Sequence, residues 1–114
     1  MKSISLIGST GSIGRQVCSV VRRYPEKFKI ESIVANSSAE LFLEQVREFM
    51  PKYAALADET VGKAIADKIP QGVKFGYGEQ ATEEAIAYGE VAFVAATGFA
   101  GLKYSLKAAE LKKD

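Results

Sequence analysis

The chain has no histidine. These 114 residues therefore lack the commonest general base and transition-metal ligand, which leaves proton transfer and metal binding to other groups. There is one cysteine, Cys18, which cannot close an internal disulfide and so fits a reducing cytosol. With no histidine to activate it, it reads as a small packing residue on a helix. An excess of either charge is also missing. Fifteen basic against fourteen acidic side chains leave +1, no footprint for nucleic acid or an anionic membrane. No apolar run approaches the roughly 20 residues of a membrane span. Met1-Lys2-Ser3 leads into a strand pattern with no secretory h-region or cleavage site, so the expected location is cytoplasmic. Repeats, low-complexity tracts and linkers are absent too. What remains, 47% apolar and 25% charged, is the make-up of one soluble domain, small for a complete two-substrate enzyme.

Against that background one stretch stands out, Gly8-Ser9-Thr10-Gly11-Ser12-Ile13-Gly14. It follows the apolar run Ser3-Ile4-Ser5-Leu6-Ile7 and precedes a segment of helical periodicity. Strand, glycine turn and helix start, in that order, form the phosphate-gripping part of a dinucleotide-binding βαβ unit. Glycines let the backbone turn sharply and approach a pyrophosphate, while free N–H groups and the helix dipole attract its charge. The spacing is G-x-x-G-x-x-G rather than the more familiar G-x-G-x-x-G.

Downstream, strand and helix alternate to the end. Ile13, Val17, Val20 and Val21 recur at helical spacing and predict an amphipathic helix over 12–23. Arg22 and Arg23 suit the negative end of that helix, and Pro25 stops it. Phe28 to Ala35 reads as a second strand. A second helix through Leu41, Phe42, Val46 and Phe49 starts at the capping-box pattern Ser37-x-x-Glu40. A third strand is expected over 52–57, then a helix capped by Asp58, a fourth strand over 73–76, a helix around 81–88 and a fifth strand over 91–96. A glycine-containing turn at 97–101 and a last helix over about 102–112 follow. Such alternation predicts an α/β, Rossmann-like doubly wound parallel sheet of about five strands with right-handed crossovers. The expected order is 3-2-1-4-5, with ligand beyond the carboxyl ends of strands one and four.

The end of the second strand reports on the cofactor. An acid there accepts from the ribose 2′-hydroxyl of NAD. Here the residues are Ala35-Asn36-Ser37-Ser38, with no carboxylate before Glu40. A carboxylate would repel a 2′-phosphate, so this loop admits NADP, and Asn36, Ser37 and Ser38 can donate to that phosphate. The same residues also serve as turn and cap. With no lysine or arginine in the loop, NADP(H) is expected to bind more tightly than NAD(H), but by a modest margin. The adjacent carboxylates Glu83-Glu84 and Asp58-Glu59 fall at expected helix starts, where acids complement the dipole, so no metal site is expected there.

Taken together, the motifs resemble the N-terminal domain of the 1-deoxy-D-xylulose 5-phosphate reductoisomerases. The glycine stretch is similar, and so, in order, are Val20-Val21-Arg22-Arg23-Tyr24-Pro25-Glu26-Lys27-Phe28, Glu44-Gln45-Val46-Arg47-Glu48-Phe49-Met50-Pro51-Lys52-Tyr53, Ala57-Asp58-Glu59 and Ala95-Ala96-Thr97-Gly98-Phe99-Ala100-Gly101-Leu102. The resemblance implies an NADPH-binding domain in which Thr10, Gly11, Ser12 and Ile13, flanked by Gly8 and Gly14, cradle the pyrophosphate. It places Asn36, Ser37 and Ser38 at the 2′-phosphate, where the family commonly has a glycine, a basic residue and an asparagine. It places Ala95, Ala96 and Thr97 near the nicotinamide-side ribose; small residues there would also simply let helix and sheet approach.

Family members continue into an Ala-Asn-Lys-Glu-Ser stretch and a catalytic domain with acidic ligands for Mg²⁺ or Mn²⁺, neither of which follows here. The expectation is a domain over 1–114 of a longer, homodimeric enzyme of non-mevalonate isoprenoid biosynthesis, with no catalytic or metal-binding residue in this segment and no activity of its own. Two alternatives keep the cofactor and change the role: the cofactor domain of another NADP-dependent reductase such as a semialdehyde dehydrogenase, or a stand-alone NADP-binding sensor module. Self-association through an uncovered face is also expected.

Overall fold

A computed structural model describes residues 1–95, 106 and 109–111. Five parallel strands run through it: β1 (Lys2–Ile7), β2 (Phe28–Ala35), β3 (Tyr53–Leu56), β4 (Lys74–Tyr77) and β5 (Val91–Val94). Between them lie α1 (Ser12–Arg23), α2 (Ala39–Phe49), α3 (Glu59–Ile65), followed by a 3₁₀ turn at Ala66–Lys68, and α4 (Glu79–Ile86). The α/β, doubly wound parallel sheet expected from the sequence is what forms. Its order is β4-β3-β2-β1-β5, so the expected placing of the fourth strand beside the first is corrected. β4 continues outward past β3, and β5 takes the place beside β1. The chain steps outward through β1 to β4 by three crossovers of the same sense, and only α4 carries it back across the sheet. The carboxyl ends that flank the reversal are thus those of β1 and β5.

This winding divides the core. On one face, α1, α2 and α3 bury Cys18, Val21, Phe42, Val46 and Ile65 against Leu6, Ile30, Ile33 and Leu56. On the other, α4 buries Ala81, Ala85 and Ile86 against Ile7, Val34, Tyr53 and Ala55. β1, β2 and β3 are covered on both faces, which is why they read as apolar runs rather than alternations. Complete burial of a side chain such as Phe42 or Leu6 contributes about 1.5–3 kcal/mol.

One irregularity serves the second face. The β1–β2 register shifts between Ile4, opposite Ile30, and Ser5, opposite Ser32, so Glu31 is an extra residue on β2. The Glu31 carboxylate meets Lys29 Nζ at 3.1 Å and Lys52 Nζ at 3.4 Å. The shift sets Ser5 and Ser32 side by side under the end of α4. Ser32 Oγ donates to the Ala85 carbonyl (2.7 Å), and Ser5 Oγ to the carbonyls of Ala85 (3.0 Å) and Ile86 (3.1 Å). Ser5 Oγ also accepts from Gly89 N–H at 2.7 Å. Carbonyls at the helix end are thus bonded by the sheet, in addition to the Tyr88 N–H that donates to the Ala85 carbonyl at 3.2 Å.

Helix limits agree with the sequence in most places. α1 spans the predicted 12–23, and Asp58 caps α3 by accepting from Val61 N–H at 3.0 Å. The expected capping box on α2 does not form. Ser38, not Ser37, is the N-cap, and it makes no side-chain cap bond. The expected burial of the α1 stripe is also partly corrected: Gly14, Cys18 and Val21 face the core, whereas Ile13 and Val20 are about half exposed.

Candidate functional site

The glycine stretch turns the chain from the buried end of β1 into α1. Gly8 has φ +88°, in the left-handed region that a side chain disfavours. The turn is held from below, since Gly8 N–H and Ser9 N–H both donate to the Val34 carbonyl at the end of β2 (2.8 and 2.9 Å). Gly11 N–H closes onto the Gly8 carbonyl at 3.2 Å, and helical bonding begins with Arg15 N–H to the Gly11 carbonyl at 2.9 Å. Gly14 lies directly on the turn: a Cβ there would stand 2.2 Å from the Gly8 carbonyl oxygen and 2.7 Å from Ser9 Cα. By contrast, among the described residues a Cβ at exposed Gly11 would meet only the Gly8 oxygen, at an ordinary 3.6 Å. One glycine is needed for close packing; the other leaves the mouth of the turn open.

That mouth is a donor site. Ser12, Ile13 and Gly14 occupy the first turn of α1, where N–H groups have no acceptor within the helix. The N-cap, Gly11, makes no side-chain cap, and no acid sits in the first turn. Among the described residues the positive helix end is therefore neither bonded away nor neutralised, which is the arrangement that binds phosphate. Thr10 is half-buried in the turn, and Ser12 and Ile13 are exposed at the helix start.

Two further loops leave the same edge of the sheet. Asn36, Ser37 and Ser38, all exposed, follow β2, the strand whose Val34 carbonyl anchors the glycine turn. Asp58 adjoins this loop, its N–H donating to the Asn36 carbonyl at 3.0 Å. Its side chain is turned to cap α3, so it does not replace the acid missing from the end of β2. On the other flank, Ala95 N–H donates to the Ile7 carbonyl at 2.7 Å, immediately before the glycine turn. The structure thus brings together Gly8, Thr10, Gly11, Ser12, Ile13, Gly14, Asn36, Ser37, Ser38 and Ala95 along one edge. Ala96 and Thr97, the turn at 97–101 and most of the expected last helix lie outside the described residues.

Cys18 is buried in the α1 face, and burial pushes its thiol up to about 11, so it is a packing residue rather than a nucleophile. Arg22 is more than a solvated cation. Its Nε and Nη2 grip both carboxylate oxygens of Glu48 on α2, the latter contact at 2.7 Å, and hold that carboxyl below its ordinary range. Among the described residues no group of three His, Cys, Asp or Glu side chains comes together as a metal site would require, and no helix is long and apolar enough to cross a membrane.

One residue of the site was missed in the sequence. Gln45, on α2, is buried and donates from Nε2 to the Ser9 carbonyl at 2.8 Å. A polar residue beside Val46 on the apolar stripe of a helix was the available signal.

Comparison with known proteins agrees with this geometry. The family model for 1-deoxy-D-xylulose 5-phosphate reductoisomerase matches residues 4–114. Curated reductoisomerases of that name are similar throughout: the one from Shouchella clausii is 36% identical over 115 residues, covering 99% of this chain and 30% of the relative. The one from Nostoc sp. is 39% identical over 120 residues, covering 100% and 30%. Among solved structures, the Zymomonas mobilis enzyme in complex with NADPH superposes with a TM-score of 0.90 at 24% identity, over 98% of this chain and 30% of that one. A complex of such an enzyme with NADPH, fosmidomycin and magnesium gives 0.86 at 23% identity, over 99% and 29%. The chain spans about 30% of the length of the curated relatives it matches. By the match along nearly its whole length, it belongs to the 1-deoxy-D-xylulose 5-phosphate reductoisomerase family.

Proposed function

We propose that this chain is the NADPH-binding domain of a reductoisomerase that converts 1-deoxy-D-xylulose 5-phosphate to 2-C-methyl-D-erythritol 4-phosphate. The observation that carries the cofactor reading is the uncapped, acid-free start of α1 behind a glycine turn with Gly8 at φ +88°. In this reading the N–H groups of Ser12, Ile13 and Gly14, with Thr10 and Gly11 at the mouth, hold the pyrophosphate. Asn36, Ser37 and Ser38 receive the 2′-phosphate, and Ala95, with Ala96 and Thr97 beyond it, lies beside the nicotinamide ribose. Bound NADPH supplies a hydride for reduction of an aldehyde. The residues here bind and orient it, and the substrate is held elsewhere in the full-length protein.

In this reading the Mg²⁺ or Mn²⁺ of the whole enzyme and the turnover of substrate belong to other parts of the full-length protein. The whole enzyme is read as a cytoplasmic homodimer of isoprenoid biosynthesis. Calorimetric titration with NADPH and NADH tests the cofactor reading. NADPH is expected to bind more tightly, by less than a basic clamp on the 2′-phosphate would give. Tighter binding of NADH would overturn the assignment of residues 36–38.

A further inference from the structure

The glycine turn and the residue that leads into it have three supports, and two of them are backbone groups at the ends of neighbouring strands, the Val34 carbonyl under the turn and the Ala95 N–H on Ile7. The third is a side chain from a helix that makes no other contact with the turn through a hydrogen bond: Gln45 Nε2 reaches from the middle of α2 to the Ser9 carbonyl, a partner 36 positions away in sequence. Gln45 is 4% exposed and Ser9 0%. The bond is made out of water, where it fixes geometry most strongly and where losing it leaves a carbonyl unpaired.

A second observation singles out the same pair. Among the described residues, the two buried side-chain polar atoms without a hydrogen-bond partner are Ser9 Oγ and Gln45 Oε1. One can donate and the other can only accept. Buried polar atoms left unsatisfied cost stability, so a chain that needed only packing here would have an apolar residue beside Val46 on α2. The donor amide sits where it touches the backbone of the glycine turn.

We infer that Gln45 is a positioning residue for the cofactor: it holds the Ser9 peptide so that the N–H groups at the start of α1 are aimed before pyrophosphate arrives. The inference rests on the NADPH reading above. Ser9 stands between Gly8, whose left-handed backbone sets the turn, and Thr10 at its mouth. Rotation of that one peptide would carry the turn away from Gly14, whose Cα sits tight against Gly8 and Ser9. Preorganisation of this kind shows in affinity, because a loose turn must be ordered at the moment of binding.

The test uses the chain itself, with NADPH binding read by titration and stability by thermal melting. Gln45→Leu keeps the size and removes the donor; its NADPH Kd is expected to rise about tenfold, the loss of one buried hydrogen bond. Leu43→Ala, a core truncation on the same helix, controls for stability. It is expected to lower the melting temperature at least as much while leaving Kd within about twofold of wild type. Gln45→Glu supplies a pH signature. Its carboxylate cannot donate to the Ser9 carbonyl and its protonated form can, so the ratio of variant to wild-type Kd should fall toward one as pH is lowered. Equal affinity of Gln45→Leu and wild type, or equal weakening by Leu43→Ala, overturns the positioning role and leaves the cofactor reading intact. Failure of the wild-type chain to bind NADPH overturns both.

Discussion

At the residue scale, the two glycines that face different directions make opposite demands. Gly14 has no room for a methyl group, with backbone atoms of Gly8 and Ser9 under 3.0 Å from where it would sit. Gly11 has room, because its open side is the mouth of the turn. Gly14→Ala is therefore expected to push α1 off the turn, destabilise the fold by about 1–3 kcal/mol as overpacking does, and weaken NADPH binding. Gly11→Ala should fold as wild type and lose affinity only, since its methyl would stand at the mouth proposed to receive the pyrophosphate. Urea denaturation and NADPH titration of both variants separate the two. Equal stability of the pair would contradict the packing described for Gly14. The motif was legible because glycine spacing between an apolar strand and a helix is a local pattern. Gln45 was not, because its partner is distant in sequence and a single glutamine on a helix carries no spacing to read.

At the scale of elements, the sheet holds α4 with hydroxyls as well as apolar surface. Ser5 Oγ serves two carbonyls and one N–H at the end of α4 and the residues after it, all buried. Ser3 Oγ accepts from Glu90 N–H at 3.1 Å in an exposed position close by. Ser5→Ala should cost about 1–3 kcal/mol, because buried groups lose their partner. Ser3→Ala should change stability by no more than about 0.5 kcal/mol, since water replaces the hydroxyl. Equilibrium unfolding in urea measures both, and comparable losses would show that Ser5 is not the anchor of α4.

The strands and helices themselves were readable from apolar periodicity, and α1 and β2 came out with their observed limits. The position of β4 was not. A short strand of Lys-Phe-Gly-Tyr carries no mark of its neighbour, and the choice between continuing outward past β3 and returning to β1 is made by packing. Gly76 is one part of that packing, since a Cβ there would stand 2.3 Å from Tyr53 Oη. The α2 cap misled for a related reason: Ser37-x-x-Glu40 satisfies the pattern, but the chain leaves β2 as a bend through Asn36 and Ser37 and enters the helix one residue later.

At the scale of the molecule, the half-exposed positions on α1 acquire a meaning. Ile13, Val17 and Val20 line a groove of about 270 Å³ with Ile4, Phe28 and Phe93. Among the described residues, β5 is the edge of the sheet on that side. Ile13, Val20 and Phe93 are 56%, 48% and 44% exposed, a contiguous apolar strip of the kind that drives association. The chain alone is expected to self-associate at high concentration, seen as a sedimentation coefficient that climbs with loading. Val20→Lys should suppress it without loss of fold, because that side chain already lies half in water. A wild-type chain that sediments as a monomer at every concentration would count against this role for the strip.

The direction in which the sheet is wound also fixes an order of assembly. Everything that holds the glycine turn from one side, Val34 at the end of β2 and Gln45 on α2, lies within the first half of the chain. The other side waits for β5, whose Val91–Val94 must come back from β4 across three strands to pair with Ile4–Ile7. Contacts of such separation are the slow ones to form. A chain emerging from the ribosome can therefore shape the glycine turn while the far flank of β1 is still bare, and the β5 side is the last part of the candidate cofactor site to be built.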